Sequence, residues 1–146
     1  MPRTLPKVLV ISAVLLVVAV IGIQLVPVWL LKTNPPVAAE PKWDSEQTRA
    51  LTKRACFDCH SNETVWPWYS NVAPASWLII FDTQRGRNEL NFSQWTSQQS
   101  RKAREAGETI RKDEMPPPIY LVTHPEAKLT DAEKQQLMDG LGKSLR

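Results

Sequence analysis

Two cysteines and a histidine stand close together at Cys56, Cys59 and His60, in the order Cys-x-x-Cys-His. This spacing is the signature of covalent c-type haem attachment. Each thiol can add to one vinyl group of a porphyrin, and the adjacent imidazole can then reach the iron from the same side. The three residues therefore predict one covalently bound haem c, with His60 as the proximal iron ligand.

Three other chemistries use paired cysteines, and each explains less of this motif. A zinc site would need further ligands, yet the chain holds two cysteines and two histidines, so the distant His124 would have to be recruited. A thioredoxin-like redox pair is expected in a βαβ unit, which the sequence does not indicate. A structural disulfide could form in an oxidising compartment, but it would leave His60 unexplained.

A haem that carries electrons needs a second axial ligand, and three neutral side chains could supply it. Met115 is the preferred distal ligand because the prolines at 116–118 fix the loop that presents its thioether. His124, in a polar loop, is the alternative, and a distal position without a protein ligand also stays open. Met138 lies on the apolar face of the last predicted helix and is interpreted as core. Ligation by His and Met would raise the reduction potential relative to two imidazoles.

Aromatic and basic side chains that follow the motif are candidates for a haem pocket. Indole rings pack well against a flat apolar macrocycle, and arginine can pair with its propionates. These pocket and propionate candidates are Trp66, Trp68, Trp77, Arg85 and Arg87. A plain hydrophobic core and solvated surface arginines would explain the same residues. The carbonyl of Pro67 or Pro74 is expected to accept the N–H of the His60 ring.

The N-terminal part of the chain carries its longest apolar run, Val8 to Val26, interrupted only by Ser12, Gly22 and Gln24. About 20 apolar residues suffice for a helix that spans a bilayer. A cleavable signal peptide, with a small-residue site at 37–39, is the rival interpretation, but its apolar region would usually be shorter, about 7–15 residues. The run therefore predicts an uncleaved transmembrane helix, and Trp29 suits the membrane–water interface.

Charge around this run predicts its orientation. Arg3 and Lys7 precede it, whereas only Lys32 follows closely, so the N-terminus is expected in the cytoplasm and the remainder on the periplasmic side of the inner membrane. These residues also explain the net charge of +3, because 15 basic and 15 acidic residues balance from Ala38 onward. A neutral exported part gives no indication of nucleic-acid binding.

The chain is expected to divide into a transmembrane segment at 1–32, a proline-rich linker at 33–42 and a haem-binding domain at 43–146. No run alternates long enough to indicate a strand, so the domain is predicted to be all-α, with three to five helices around one haem. A chain of this size has a thin core, to which a buried haem would add.

Capping and proline signals locate these helices. The predicted segments are 44–59 with Asp44 as the N-cap, a short helix over 74–82, a longer helix that begins at Ser93 and ends before Met115, and a last helix with Leu137, Met138, Leu141 and Leu145 on its apolar face, which follows a capping box at Thr130–Glu133.

The residues around the motif resemble those of the bacterial haem-binding domain family of cytochrome-c-like proteins. The similarity lies in ACFDCHSNET at 55–64, WPWYS at 66–70, APASW at 73–77, GR at 86–87, LNFS at 90–93, Trp95, MPP at 115–117, Tyr120, His124 and the segment 130–141. It covers about residues 43–145. The resemblance implies a small, mostly helical, single-haem cytochrome c fold that is usually exported and often anchored in a membrane. In such folds a Met-Pro loop commonly supplies the distal ligand, which corresponds to Met115 here.

The expected function is one-electron transfer by a membrane-anchored mono-haem c-type cytochrome that meets redox partner proteins in the periplasm or membrane. No acid–base pair indicates turnover of a substrate, so the chain is not expected to be an enzyme. Two alternatives stay open. A haem-based gas or redox sensor, or a peroxidase-like protein, would have an open distal site with His124 as its base. An accessory haem subunit of a respiratory complex would use the helix for localisation.

Overall fold

The computed structural model describes residues 4–144, apart from the side chains of Thr4, Leu5 and Arg104. Its helices are α1 (Thr4–Gln24), α2 (Glu46–Ala55), α3 (Phe57–His60), α4 (Ala75–Glu89), α5 (Ser97–Arg111), α6 (Pro118–Leu121) and α7 (Asp131–Ser144). Short 3-10 helices lie at Val28–Leu31, Trp68–Asn71 and Pro125–Ala127. Within 4–144 there is no strand, only an isolated bridge between Ala39 and Gln94. The predicted all-α class is confirmed.

The chain forms two compact units. The first, here called the N-terminal unit, comprises Met1–Lys32 and Pro67–Ile80, and the second, called the motif unit, comprises Thr33–Trp66 and Phe81–Arg146. The extended segment 33–42 belongs to the motif unit, where the backbone N–H groups of Ala38 and Ala39 lie 2.9 and 3.2 Å from the Ser93 carbonyl oxygen. The division into anchor, linker and domain at 32 and 42 stays a prediction.

In the N-terminal unit, one segment of the described chain is long and apolar enough to cross a membrane. It runs over Pro6–Leu31, 26 residues with a mean hydropathy of 2.9, and none of it is buried. The segment ends in polar contacts. The Gln24 amide donates to the Ala73 carbonyl at 3.1 Å and accepts from the Ala73 N–H at 3.0 Å, while Lys32 Nζ donates to Asn71 Oδ1 at 2.7 Å.

The motif unit has one hydrophobic core, to which α2, α5 and α7 contribute most of the side chains. Its buried members are Leu51, Ala55, Phe57, Leu90, Phe92, Ala103, Ile110, Leu129, Leu137 and Leu141, with Met138 packed against them as predicted. Phe57 lies between the two cysteines of the motif and is 2 % exposed. Its ring stacks on Phe92 at a centroid distance of 5.8 Å, and Phe92 stacks on Trp95 at 5.9 Å. The motif is therefore rooted in the core by its own second residue.

Two predicted helix starts are wrong, and hydrogen bonds explain both. Ser45, not Asp44, caps α2, because its hydroxyl accepts from the Thr48 N–H at 3.2 Å. α5 begins at Ser97 behind Thr96 instead of at Ser93. The Ser93 hydroxyl accepts from the Asn62 N–H at 2.9 Å, so this residue is engaged in a buried turn and does not start a helix.

Other predicted elements agree with the structure. α5 ends at Arg111, before Met115. The capping box before α7 forms as expected, with the Glu133 N–H 3.3 Å from Thr130 Oγ1 and the Thr130 N–H 2.8 Å from Glu133 Oε2. The helix expected over 74–82 is longer, since α4 continues to Glu89. Leu145 lies outside the described residues.

Candidate functional site

The Cys-x-x-Cys-His motif occupies a single helical turn. Cys56 ends α2 with a φ of −128° and a ψ of −29°, and α3 follows directly at Phe57–His60. Positions three apart on a helix lie on the same face, so the turn places the side chains of Cys56 and Cys59 on one side. Neither cysteine forms a disulfide, and both are partly exposed. Two free thiols on one face are the arrangement that attachment to one porphyrin edge requires.

The surroundings of Cys56 and Cys59 favour the protonated thiols. Burial raises the pKa of Cys56 to about 12, with the neighbouring Cys59 as a further cause. Burial also raises the pKa of Cys59 to about 11, supported by the carboxylates of Asp58 and Asp82. Cysteines that react as free thiolates have a lowered pKa instead. Within residues 4–144 no group of three or more His, Cys, Asp or Glu side chains could hold a metal ion, so the zinc alternative gains no support.

The imidazole of His60 is fixed by a backbone carbonyl. Its Nδ1 lies 3.0 Å from the Leu90 carbonyl oxygen, and the N–H of Phe92 donates to the His60 carbonyl at 2.8 Å. A proton on Nδ1 donates to Leu90 and leaves the lone pair on Nε2, the nitrogen that can bind iron. Burial lowers the pKa of His60, although the Leu90 and Gly86 carbonyls oppose this shift. The ring is therefore neutral, as an iron ligand must be.

The expected acceptor for this ring, Pro67 or Pro74, is wrong. The backbone pairing of Phe92 with His60 brings the turn after α4 alongside the motif, and so the carbonyl of Leu90 is the one within reach.

α4 approaches the motif closely at Gly86. A Cβ atom placed there would overlap the carbonyl oxygen of Cys59 and lie 3.0 Å from the Cys59 Cβ. Only glycine permits this contact, because every other residue adds that atom. The packing holds Cys59, and with it the adjacent His60, against α4.

Asp58 connects the motif to two other segments. Its Oδ1 accepts from the Val65 N–H at 2.9 Å, and its Oδ2 accepts from the Tyr120 hydroxyl at 2.8 Å. Burial and this carboxylate both raise the pKa of Tyr120, so the phenol stays protonated and donates. The Tyr120 ring stacks on His124, with centroids 4.0 Å apart and planes 9° apart. The loop between α5 and α7, which carries both predicted distal ligands, is thus attached to the motif through Asp58.

The predicted distal ligands differ in their surroundings. Met115 follows α5, is 38 % exposed, and its N–H lies 3.3 Å from the Thr109 carbonyl oxygen. His124 is half-buried, and its Nδ1 lies 3.0 Å from Thr123 Oγ1 and 3.3 Å from the Tyr120 carbonyl oxygen.

Arg87, a predicted propionate partner, directs its guanidinium at protein acceptors. Its Nε donates to the Ser61 carbonyl at 2.7 Å, and Nη1 donates to the Thr33 carbonyl at 2.7 Å. Nη2 donates to Asn34 Oδ1 and Thr64 Oγ1, each at 2.9 Å. These four bonds hold the extended N-terminal segment of the motif unit against the residues just after His60. Arg85, by contrast, is exposed, and its charge opposes the burial that raises the pKa of Asp82.

The predicted pocket tryptophans are divided between the two units. Trp66 belongs to the motif unit and is half-buried. Trp68 and Trp77 belong to the N-terminal unit, where Trp68 is largely exposed and meets Tyr69 edge-on with centroids 5.7 Å apart. Within the motif unit the structure thus brings Arg87 to the motif and connects the Met115–His124 loop to it.

Exposed apolar residues belong to the two segments that form hydrogen bonds with Asp58 of the motif. Val65 donates its N–H to Asp58, and Ile119 flanks Tyr120, which bonds the same carboxylate. The large exposed apolar residues of the motif unit are Val37, Val65, Phe81, Met115, Ile119 and Val122. Free thiols, a neutral imidazole with Nε2 available and nearby apolar surface together fit a haem.

Four contributors to this site were missed in the sequence. An isolated glycine inside a helical pattern, as at Gly86, is a signal of close packing that could have been used. Asp58 stands inside the motif, but it occupies an x position of Cys-x-x-Cys-His, to which the motif assigns no role. The Leu90 carbonyl and the Tyr120 hydroxyl carry no sequence signal.

The sequence model of a family described as the haem-binding domain matches residues 18–143 of the chain. No curated protein and no solved structure matches it. The family match covers the motif, both predicted distal ligands and the end of α1, and so it extends the resemblance seen from about residue 43 towards the N-terminus. The chain belongs to the haem-binding domain family.

Proposed function

We propose that this protein is a membrane-anchored mono-haem c-type cytochrome that transfers single electrons and does not turn over a substrate. The observation that carries the proposal is the hydrogen bond from His60 Nδ1 to the Leu90 carbonyl, 3.0 Å long, beside two free thiols. This bond leaves the lone pair of Nε2 for iron. When bound, the haem would supply an iron that changes between Fe(III) and Fe(II).

The residues of the chain divide the work of holding that group. Cys56 and Cys59 would bind its edge covalently, and His60 would bind the iron from the same side. Met115 is proposed for the other axial position, with His124 as the alternative. Arg85 is the arginine proposed for the propionates, because Arg87 already donates four hydrogen bonds to protein acceptors.

Trp66, which lies in the motif unit, is the tryptophan proposed for the pocket wall. The apolar segment Pro6–Leu31, here called the candidate span, would keep the motif unit at the periplasmic face of the inner membrane. There, redox proteins of the periplasm or membrane could reach an exposed haem edge.

Covalent attachment is tested by producing the full chain together with the cytochrome c maturation machinery. We expect haem to stay with the polypeptide on a denaturing gel, and a reversible one-electron couple in a redox titration. Cys56→Ser and Cys59→Ser should each leave one thioether, with a shifted pyridine haemochrome band, and the double variant should lose covalent haem. Haem that separates from the wild-type chain on denaturation would contradict c-type attachment.

The distal position is tested by the reduced optical spectrum with and without carbon monoxide. We expect a low-spin spectrum that the gas leaves unchanged, and Met115→Ala should make it sensitive. His124→Ala is the matched control and should change nothing. The opposite pattern would favour the sensor or peroxidase-like alternative, in which His124 serves an open site.

A further inference from the structure

A cavity of about 210 Å³ lies inside the N-terminal unit, where the candidate span ends. Its apolar wall includes Ile23, Val26 and Trp29 from the end of the span. Its polar wall includes Ser70, Asn71 and Ser76, which follow the Trp66–Tyr69 stretch of the chain. Nothing in the proposed haem chemistry uses this cavity.

Polar contacts hold the two walls together. Gln24, one of the few polar residues in the apolar run, makes a paired hydrogen bond with both backbone groups of Ala73, at 3.1 and 3.0 Å. Lys32 Nζ bonds Asn71 Oδ1 at 2.7 Å just beyond the cavity. A glutamine side chain at the end of a lipid-facing helix is destabilising unless its amide forms hydrogen bonds. These bonds therefore indicate that the two walls of the cavity are held in a defined arrangement.

One polar side chain of the cavity wall, that of Ser76, differs from the others in its hydrogen bonding. Ser76 is 2 % exposed, and its hydroxyl has no hydrogen-bond partner among the described residues. The other polar side chains are occupied: the Ser70 hydroxyl donates to the Pro67 carbonyl at 2.6 Å, and the Asn71 amide donates to the Trp68 carbonyl at 3.0 Å. A buried hydroxyl without a partner is destabilising, and a ligand that offers an acceptor would remove that penalty.

The remaining features of the cavity restrict the class of ligand that it could bind. None of the described residues that line the cavity is charged, which disfavours a phosphate or another anionic headgroup. An acyl chain would fill the apolar wall but could not accept a hydrogen bond from Ser76. The indole of Trp29, at the membrane–water interface, would pack well against a ligand that has a flat ring.

We propose that this cavity binds the neutral, carbonyl-bearing ring of a membrane-dissolved quinone. Ser76 donates to a ring carbonyl, Trp29 packs against the ring, and the isoprenoid tail leaves along the span. The inference rests on the membrane placement within the proposed function and concerns binding alone, independently of haem attachment.

The test uses the full chain in phosphatidylcholine nanodiscs, labelled with 5-fluorotryptophan and observed by fluorine NMR. The Trp29 signal is assigned with Trp29→Phe, and decylubiquinone is the probe. We expect a saturable shift of the Trp29 signal, while those of Trp43 and Trp95 in the motif unit stay in place. Ser76→Ala should weaken binding about tenfold, in keeping with the loss of one buried hydrogen bond.

Two further variants make the result specific. Ser12→Ala removes the same atom from an exposed position of α1 and should leave the affinity unchanged. Ser76→Thr keeps the hydroxyl and should bind decylubiquinone about as well as the wild type. An absent or non-saturable shift, equal affinity in Ser76→Ala, or the same response to dodecane or dihexanoyl phosphatidylglycerol would each overturn the proposal. A haem-stained gel of the same samples reports on covalent haem separately, so failure of one conclusion is distinguishable from failure of the other.

Discussion

The ring of His60 is held in the one form that can bind a metal at Nε2. Burial lowers its pKa, so the imidazole is neutral, and the Leu90 carbonyl takes the remaining N–H. Neither effect would suffice alone, because a charged ring has no lone pair and an unfixed neutral ring exchanges between two tautomers. The turn after α4 therefore prepares His60 for the role of proximal ligand that we propose.

At the same scale, Tyr120 is expected to position the loop that carries Met115. Tyr120→Phe removes the hydroxyl that donates to Asp58 Oδ2, and it should lower the free energy of unfolding by about 1–3 kcal/mol, because a hydrogen bond to a carboxylate is lost. In the haem-loaded protein the optical band of methionine-bound ferric haem should weaken. Urea unfolding and the ferric spectrum provide the two measurements.

A double-mutant cycle with Asp58→Asn isolates this interaction. If Tyr120 acts through Asp58, the effects of the two substitutions on stability are not additive. Additive effects, or an unchanged ferric band in Tyr120→Phe, would show that the hydroxyl does not position the loop.

At the scale of elements, the contact of α4 with the motif depends on Gly86. Gly86→Ala should destabilise the protein by about 1–3 kcal/mol and reduce haem incorporation, because the added methyl group overlaps the Cys59 carbonyl. Gly142→Ala is the matched control: it lies in α7 with nothing within 4 Å of the new atom, and it should be neutral or stabilising by about 0.5–1 kcal/mol. Equal stability of the two variants would contradict the close approach of α4.

The start of α7 should make stability depend on pH. Hydrogen bonds from the Thr130 N–H, and then from Arg54, lower the pKa of Glu133 to about 2 from an ordinary 4.5. A lowered pKa in the folded state stabilises the protein above about pH 4.5, and this contribution is lost as the pH falls towards 2. Glu133→Gln should therefore unfold at a lower temperature than wild type at pH 7, with the difference shrinking in acid. A constant difference between pH 7 and 2.5 would contradict the assignment.

Helix signals were recognisable where a cap or a proline decides the boundary, and unrecognisable where tertiary bonds compete. The Thr130–Glu133 box and the end of α5 before Met115 follow from local chemistry alone. Ser93 has the side chain of an N-cap, yet its hydroxyl accepts from Asn62 across the motif unit, and α5 starts later. The motif residues were identifiable because their side chains carry the chemistry. The Leu90 carbonyl was not, since every residue has one.

At the scale of the whole molecule, two parts of the chain differ in how they dispose their apolar side chains. The helix over Pro6–Leu31 exposes aliphatic side chains along its length, whereas the motif unit buries its own in a core. An exposed apolar surface of this length is one that a bilayer could cover. The hydrogen bonds of Gln24 with Ala73 lie at the C-terminal end of α1.

The orientation of that helix is the last expectation, and it can be reversed by charge. Arg3 and Lys7 precede the candidate span, and only Lys32 follows closely. Substituting both Arg3 and Lys7 by Gln removes the bias that retains the N-terminus in the cytoplasm. Fewer chains should then present the motif unit outside, so the haem-stained band should weaken and more of the chain should resist protease added to spheroplasts. Lys112→Gln with Lys128→Gln makes the same charge change at positions remote from the span in the sequence, and it should leave both readouts as in wild type. Unchanged haem and protease sensitivity in the first variant would mean that these charges do not orient the chain.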